Sequence, residues 1–303
     1  MASEQNYDFS MERLLRQLNP ELHRRFTDAV FALQYNLSNY KLIFPDYTDH
    51  TNLHSMTVID FCNRLIGDRI DRLNADEIYV LLVSCYFHDT GMGITMRDYE
   101  EFSSRIPFGN YLDTHSREDL PEIIRSFHHE FSGQFIRKYA ELFEIPSPEH
   151  QHAIIQISRG HRKTNLMDER EYPTDYRMPD GNTVYLPYLA ALIRLADEID
   201  VAAARNPVML YDIAALTDEI EIVENKKVKA VRNLLVSDTA FTLEVSTPEE
   251  EILREIREMV VKMQKTLDYC REAVIGRTPY TITQEKVLLE VLDEGAGGEK
   301  HAP

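Results

Sequence analysis

Residues 78–87, IYVLLVSCYF, form an almost uninterrupted apolar run that stops at His88 and Asp89 and turns through Thr-Gly-Met-Gly. Asn74 precedes the run as a candidate cap, and Asp76 and Glu77 place carboxylates where a helix N-terminus favours them. The segment therefore reads as a helix buried on every side, the central element on which others must pack. An imidazole and a carboxylate at its inner end are costly unless a partner compensates them. The rest of the fold has to supply that partner.

Most of residues 9–205 shows helical periodicity, with apolar residues at i, i+3 and i+4. Residues 9–40 break before Pro20. HSMTVIDFCNRLIG (54–67) has Gly67 as a plausible stop. Residues 120–143, 148–161 and 185–205 are further helices. Residues 95–120 read as loop with a short helix, and 162–185 as a long loop of the kind that serves as lid or binding loop. After Arg205 the pattern changes. NKKVKAVRNLLVSDTAFTLEVS predicts two strands joined at Ser237-Asp238. A long helix follows, with Thr247 as cap and Pro248 in first position, and then a strand in PYTITQEKVLLEVL. The tail DEGAGGEKHAP is expected to be disordered. The expected fold is mainly α: a helical bundle at residues 1–205 and a smaller α+β module at 206–303. The long helix of the module packs on its own hairpin or forms a homodimer seam.

The net charge of −18 repels nucleic acid and anionic membranes at long range. It leaves room for an anionic substrate wherever a local cation reverses the field. The longest apolar run, about ten residues, is short of the roughly 20 that span a bilayer, and the polar N-terminus is no signal peptide. Cys62, Cys85 and Cys270 form no CxxC pair and read as buried reduced thiols, as in a cytoplasmic protein.

A His-Asp dipeptide alone says little: with 11 His in 303 residues, chance supplies about one. A lone His on an apolar helix is most often a hydrogen-bonded core or surface residue. The information lies in repetition. His54, His88-Asp89, the His128-His129 pair, His161 and Asp197 each sit on an otherwise apolar helix, separated by 34, about 40, about 32 and 36 residues. Each gap fits one helix and a connection, so antiparallel helices can bring these side chains to one point. Neutral imidazoles and carboxylates are the donors that Mn²⁺, Fe²⁺, Ni²⁺ or Zn²⁺ accept. A metal is thus the compensation that the end of the apolar run calls for. Arg159, Arg162 and Lys163 surround His161 in SRGHRK, and Arg194 lies one turn before Asp197, a basic cluster suited to phosphate. His23, His115, His150, His152 and His301 lack such a context and read as surface residues.

The order H…HD…H…H…D, set in HSMTV, CYFHDTGMG and LIRLADEID, resembles the HD-domain superfamily of metal-dependent phosphohydrolases over roughly Thr48–Arg205. The context FPDYTDHTNLHS resembles members with an α/β extension after the last Asp. The resemblance implies a first metal held by His54, His88, Asp89 and Asp197. Asp89 would bridge to a second ion on His129 and His161, with His128 the next candidate; His129 is preferred because Gly133 follows it at the spacing of the second-site motif. One or two divalent ions (Mn, Fe, Ni, Mg or Zn) are implied. The implied activity is hydrolysis of a small phosphate ester, a nucleotide or related phosphomonoester or phosphodiester, by a metal-activated water. Asp89 and His50, one turn before His54, are its candidate catalytic residues, and Arg162, Lys163 and Arg194 its candidate substrate ligands. The chain departs from the cyclic-dinucleotide phosphodiesterases of the superfamily, with Met92 where they have a Lys and no Gly-Tyr-Pro motif. The alternatives are an HD-type di-iron oxygenase, a single-strand nuclease and a non-catalytic metal or nucleotide sensor.

Overall fold

The structure is a computed structural model that describes residues 9–37, 52–115, 119–201 and 219–292. It is mainly helical, with a small α+β portion toward the C-terminus. Two compact units divide the chain: residues up to Asp197 together with Cys270–Ile282, and Glu198–Tyr269 together with the segment from Thr283 onward.

The first unit is built on the apolar run. Helix α4 (Ala75–Phe87) is buried along its length from Asp76 onward. Its N-terminus carries a reciprocal capping box, in which the Asn74 side chain accepts from the Glu77 N–H and Glu77 accepts from the Asn74 N–H; two otherwise orphaned donors are satisfied. Around α4 pack α1 (Ser10–Leu18), α2 (Pro20–Leu37), α3 (Asn52–Ile66) and α8 (Pro148–Gly160). Proline opens α2 where its fixed φ suits the first turn and its missing N–H costs nothing. Gly67 ends α3 at φ 58°, a left-handed backbone that glycine adopts without a Cβ clash.

Past His88 the chain tightens into a single 3₁₀ turn, Thr90–Gly93, which packs on α7 (Leu120–Tyr139). The residues between hold α5 (Met96–Ser103) and the single turn α6 (Tyr111–Thr114). The expected long loop after His161 contains a two-residue hairpin, β1 (Tyr176–Arg177) with β2 (Thr183–Val184), and leads into the buried helix α9 (Leu186–Glu198).

The expectation that His150 is a surface residue is corrected. Its ring is buried at the start of α8, with Nε2 2.8 Å from Asp76 Oδ1 of α4 and Nδ1 2.9 Å from Ser147 Oγ. Segment 270–282 is pinned by the Tyr280 hydroxyl, which donates to Glu77 at 2.6 Å, and by Arg277, which donates to the Leu166 carbonyl at 3.0 Å.

In the second unit, α10 (Glu219–Ala230) includes NKKVKA, which the sequence reading assigned to a strand. The hairpin follows as β3 (Val231–Val236) and β4 (Ala240–Val245), antiparallel, and β5 (Lys286–Val291) adds parallel to β4 to give the order β3-β4-β5. The long helix α11 (Glu250–Val274), which belongs to this unit as far as Tyr269, starts two residues beyond Pro248; Thr247 Oγ1 accepts from the Glu249 N–H. Its Gln264 side chain joins β5, accepting from the Val287 N–H at 2.8 Å and donating to the Glu285 carbonyl at 3.0 Å. Cys62, Cys85 and Cys270 are free and buried, and no helix among the described residues is long and apolar enough to cross a membrane.

Candidate metal centre

Helix α4 delivers His88 at its C-cap, still with helical angles, and the next residue leaves the helix: Asp89 has φ −103° and ψ 7°. That bridge-region backbone is sparsely populated and recurs at functional positions. The close approach of α7 behind the turn has a specific requirement. A Cβ on Gly91 would lie 2.1 Å from the His128 carbonyl oxygen, so only glycine fits there. Ser132, one helical turn beyond His128, locks the junction. Its hydroxyl donates to the His88 carbonyl at 2.6 Å and accepts from the Gly91 N–H at 2.8 Å.

Asp89 turns its two carboxylate oxygens to different partners. Oδ2 lies 3.4 Å from His88 Nε2 and 3.6 Å from His54 Nε2. Oδ1 lies 3.3 Å from His128 Nε2 and 3.6 Å from His161 Nε2. Asp197, on the last turn of α9, completes the first set at 3.3 Å from His54 Nε2. Within the sets the imidazoles meet through like atoms: His54 and His88 at 3.1 Å, His128 and His161 at 2.9 Å, each Nε2 to Nε2. His54, His88 and Asp89 form one compact donor group, and Asp89, His128 and His161 another.

The donor chemistry fits divalent ions. Three of the imidazoles turn Nδ1 to a carbonyl three residues back: His88 to Cys85, His128 to Arg125 and His161 to Ser158. A carbonyl only accepts, so the ring proton belongs on Nδ1 and Nε2 presents a lone pair, the backbone-oriented tautomer typical of metal-ligating histidines. Burial, and then the neighbouring His88 and His128, hold His161 well below the usual imidazole pKa. Burial works to raise the Asp197 carboxyl, but the hydrogen bond from His54 and the surrounding imidazoles outweigh it and hold the group well below its usual range. Neutral rings and ionised carboxylates are the forms that bind metal. Ligand atoms at about 2.0–2.2 Å from one ion sit about 2.8–3.6 Å apart when adjacent, which is the range found within the groups His54, His88, Asp89 and Asp89, His128, His161; Asp197 Oδ1 stands further from His88 Nε2, at 4.0 Å.

The structure therefore brings together His54, His88, Asp89, His128, His161 and Asp197 and sets His129 aside, correcting the preference for that residue. Successive residues on a helix point about 100° apart, so only one of the pair can face Asp89. His129 Nε2 lies instead 3.8 Å from Glu130, and its buried Nδ1 has no hydrogen-bond partner among the described residues. Burial first, then His128, Arg162, Arg159 and Lys163, push its pKa far down. Those cations are thus near enough to act on the ring. Arg162 is half-buried and Lys163 exposed beside the centre.

Arg194 does not stand ready for substrate. It is buried, with Nε donating to the Gly160 carbonyl at 2.7 Å and Nη2 to the Thr164 carbonyl at 2.8 Å. It ties α9 to the end of α8, where helix carbonyls lack internal partners, and so positions His161. Arg159 turns to Glu130 at 3.0 and 2.7 Å. His50 lies outside the described residues. Sequence reasoning missed Ser132; its place four residues after His128, on the same helix face, was the available signal.

Fold and site together define a mainly helical protein with a buried His/Asp cluster suited to divalent metal. The chain belongs to the HD-CE family, whose sequence profile matches residues 44–278. No curated protein matches it.

Proposed function

We propose that this chain is a metal-dependent phosphohydrolase of the HD type, acting on a phosphate ester of a nucleotide or a related small molecule. The observation that carries the reading is the divided carboxylate of Asp89, one oxygen toward His54 and His88 and the other toward His128 and His161. Such sharing suits a pair of ions. His54, His88, Asp89 and Asp197 would hold one, and Asp89, His128 and His161 the other. When bound, divalent ions supply Lewis acidity and lower the pKa of water toward neutrality, the chemistry that phosphate-ester hydrolysis needs.

The chain's own residues do the rest. The Nδ1–H bonds to backbone carbonyls keep the rings aimed inward, so little reorganisation accompanies turnover. Arg162 and Lys163 stand beside the centre to receive the phosphoryl oxygens. His129, with its ring centroid 6.0 and 6.5 Å from those of His128 and His161, would give a hydrogen bond to substrate. The free, buried cysteines support a reducing, cytoplasmic setting. The test is metal analysis of protein prepared without chelator, followed by a nucleotide and phosphate-ester panel with Mn²⁺, Mg²⁺ and Ni²⁺. Wild type should release phosphate or nucleoside monophosphate, and Asp89→Ala should lose both metal and turnover. Metal-loaded protein that turns over nothing in the panel rejects the reading.

A further inference from the structure

On the back of the two helices that supply His128 and His161 lies a cleft of about 270 Å³. From α7 it takes Glu130, Gln134 and Arg137, and from α8 Gln156 and Arg159. At about 3.6 residues per turn, the α7 residues point roughly opposite to His128 and the α8 residues roughly opposite to His161. The cleft is therefore a separate place from the metal centre.

Beside Pro107, Gly133 and Ile155, its polar lining is mostly donors. Arg159 takes up Glu130, the acid at the cleft, through two contacts at 2.7 and 3.0 Å. Arg159 also donates to Gln156 Oε1 at 2.6 Å, and Arg137 donates to Gln134 Oε1 at 3.3 Å. A guanidinium only donates, so these contacts fix both amides with the oxygen occupied and the NH₂ end available. Neither NH₂ group has a partner among the described residues, although Gln134 and Gln156 are each only 7% exposed. Arg105 lines the rim. Neither Arg105 nor Arg137 has a carboxylate partner among the described residues. Two uncompensated guanidiniums thus converge with two buried amide donors, in a chain of net charge −18. His152 also lines the cleft. Burial first, and then Arg137 and Arg159 against the opposing Glu171, hold its pKa below the usual imidazole range, in keeping with guanidiniums that face the cleft.

We infer that this cleft is an anion-binding site for a small phosphate-bearing molecule, separate from the metal centre. Donors without acceptors select against cations and neutral polar ligands, and paired guanidiniums favour phosphate oxygens. The volume, near the lower end of ligand pockets, restricts the ligand to a free phosphate or pyrophosphate, or to a mononucleotide.

The test is isothermal titration of the full chain in metal-free buffer with inorganic pyrophosphate and, separately, with AMP. Wild type should bind at least one of them, and Arg105→Ala/Arg137→Ala should weaken that affinity at least tenfold. Arg137→Glu, a change at an exposed position, should do so more strongly. Asp89→Ala should bind as wild type does, since its change lies at the metal centre. Tighter binding of AMP than of pyrophosphate assigns the site to nucleotides, and the reverse assigns it to free phosphates. No binding by wild type, full binding by both arginine variants, or binding lost only in Asp89→Ala overturns the inference.

Discussion

His128 and His161 face each other through like atoms, Nε2 to Nε2 at 2.9 Å, while each turns Nδ1 to a helix carbonyl three residues back. Two neutral imidazoles in those tautomers oppose lone pairs, which is unfavourable unless a cation lies between them. Burial and neighbouring rings hold His161 well below the usual imidazole pKa, so a proton is a poor candidate at neutral pH. Metal binding should therefore stabilise the fold. Saturation at about a hundred times Kd contributes about 2.7 kcal/mol, or about 5–10 °C in Tm at about 2–4 °C per kcal/mol for a protein of this size. Thermal unfolding with and without chelator, then with Mn²⁺, Ni²⁺ or Zn²⁺ restored, checks this. An unchanged Tm would mean that the cluster holds no metal.

The division of Asp89 between two histidine pairs predicts distinct stoichiometries. His128→Ala and His161→Ala each remove one donor from one set and should lower bound metal from about two ions per chain to about one. Asp89→Ala removes the shared ligand and should leave almost none. His129→Ala, outside the cluster, should keep the metal while turnover falls. Elemental analysis of purified variants reads all four. Loss of metal in the His129 variant but not in the His128 variant would reverse the assignment.

Gly91→Ala places a methyl group 2.1 Å from the His128 carbonyl oxygen, with the Ser132 nitrogen at 2.8 Å. Both neighbours are helix backbone and cannot step aside as a side chain would. The turn has to move off α7, which also breaks the Ser132 bridge to His88. Destabilisation of about 3 kcal/mol or more should accompany loss of metal affinity. Urea denaturation measures the first and metal titration the second; a wild-type midpoint would show that the two elements are not tightly apposed.

The central helix was legible in the chain because an apolar run capped by Asn74 and closed by His88-Asp89 has one economical arrangement: burial, with the polar end at a site. The choice between His128 and His129 was not legible. Adjacent residues on one helix differ by about 100° in direction, and which of them faces Asp89 depends on how α7 rolls against the Thr90–Gly93 turn. Arg194 misled for a related reason. A cation one turn from Asp197 suggests a phosphate ligand, yet its partners are the Gly160 and Thr164 carbonyls, whose unmet acceptors are created by tertiary packing. His150 and Asp76 lie 74 residues apart in sequence and nothing local to either announces the pair. In NKKVKA, the β-branched Val228 and the valines that follow it favoured a strand; helix α10 extends through Val228 to Ala230, and the strand begins only at Val231.

The role of Arg194 as a tie predicts a mixed phenotype. Arg194→Ala leaves the carbonyls of Gly160 and Thr164 without this donor in a buried setting, which should cost about 2–4 kcal/mol. Because those carbonyls flank His161, metal affinity should fall with stability. A substrate ligand would behave otherwise, raising KM while Tm and metal content stayed as in wild type. Arg194→Lys, with one charge but no planar fork, should recover only part of the stability.

Glu77 supplies a pH dependence that is independent of the metal centre. Burial pushes its carboxyl up to about 7, against hydrogen bonds from Tyr280, Asn74 and Tyr185 that act in the opposite direction. Between the unfolded carboxylate value, about 4.3, and about 7, the folded chain binds more protons than the unfolded one. Stability contributed by this group is then fully present below the unfolded value and is lost as pH rises through the folded one. The shift corresponds to about 4 kcal/mol at about 1.36 kcal/mol per pKa unit. Glu77→Gln removes the titration and should flatten that part of the stability profile, so the variant loses less than wild type between pH 5 and 7.5 on this order-of-magnitude scale. Urea midpoints for both proteins across that range decide it. Parallel profiles would place the pH dependence elsewhere and leave Glu77 ionised in the fold, held by the Tyr280 hydroxyl at 2.6 Å.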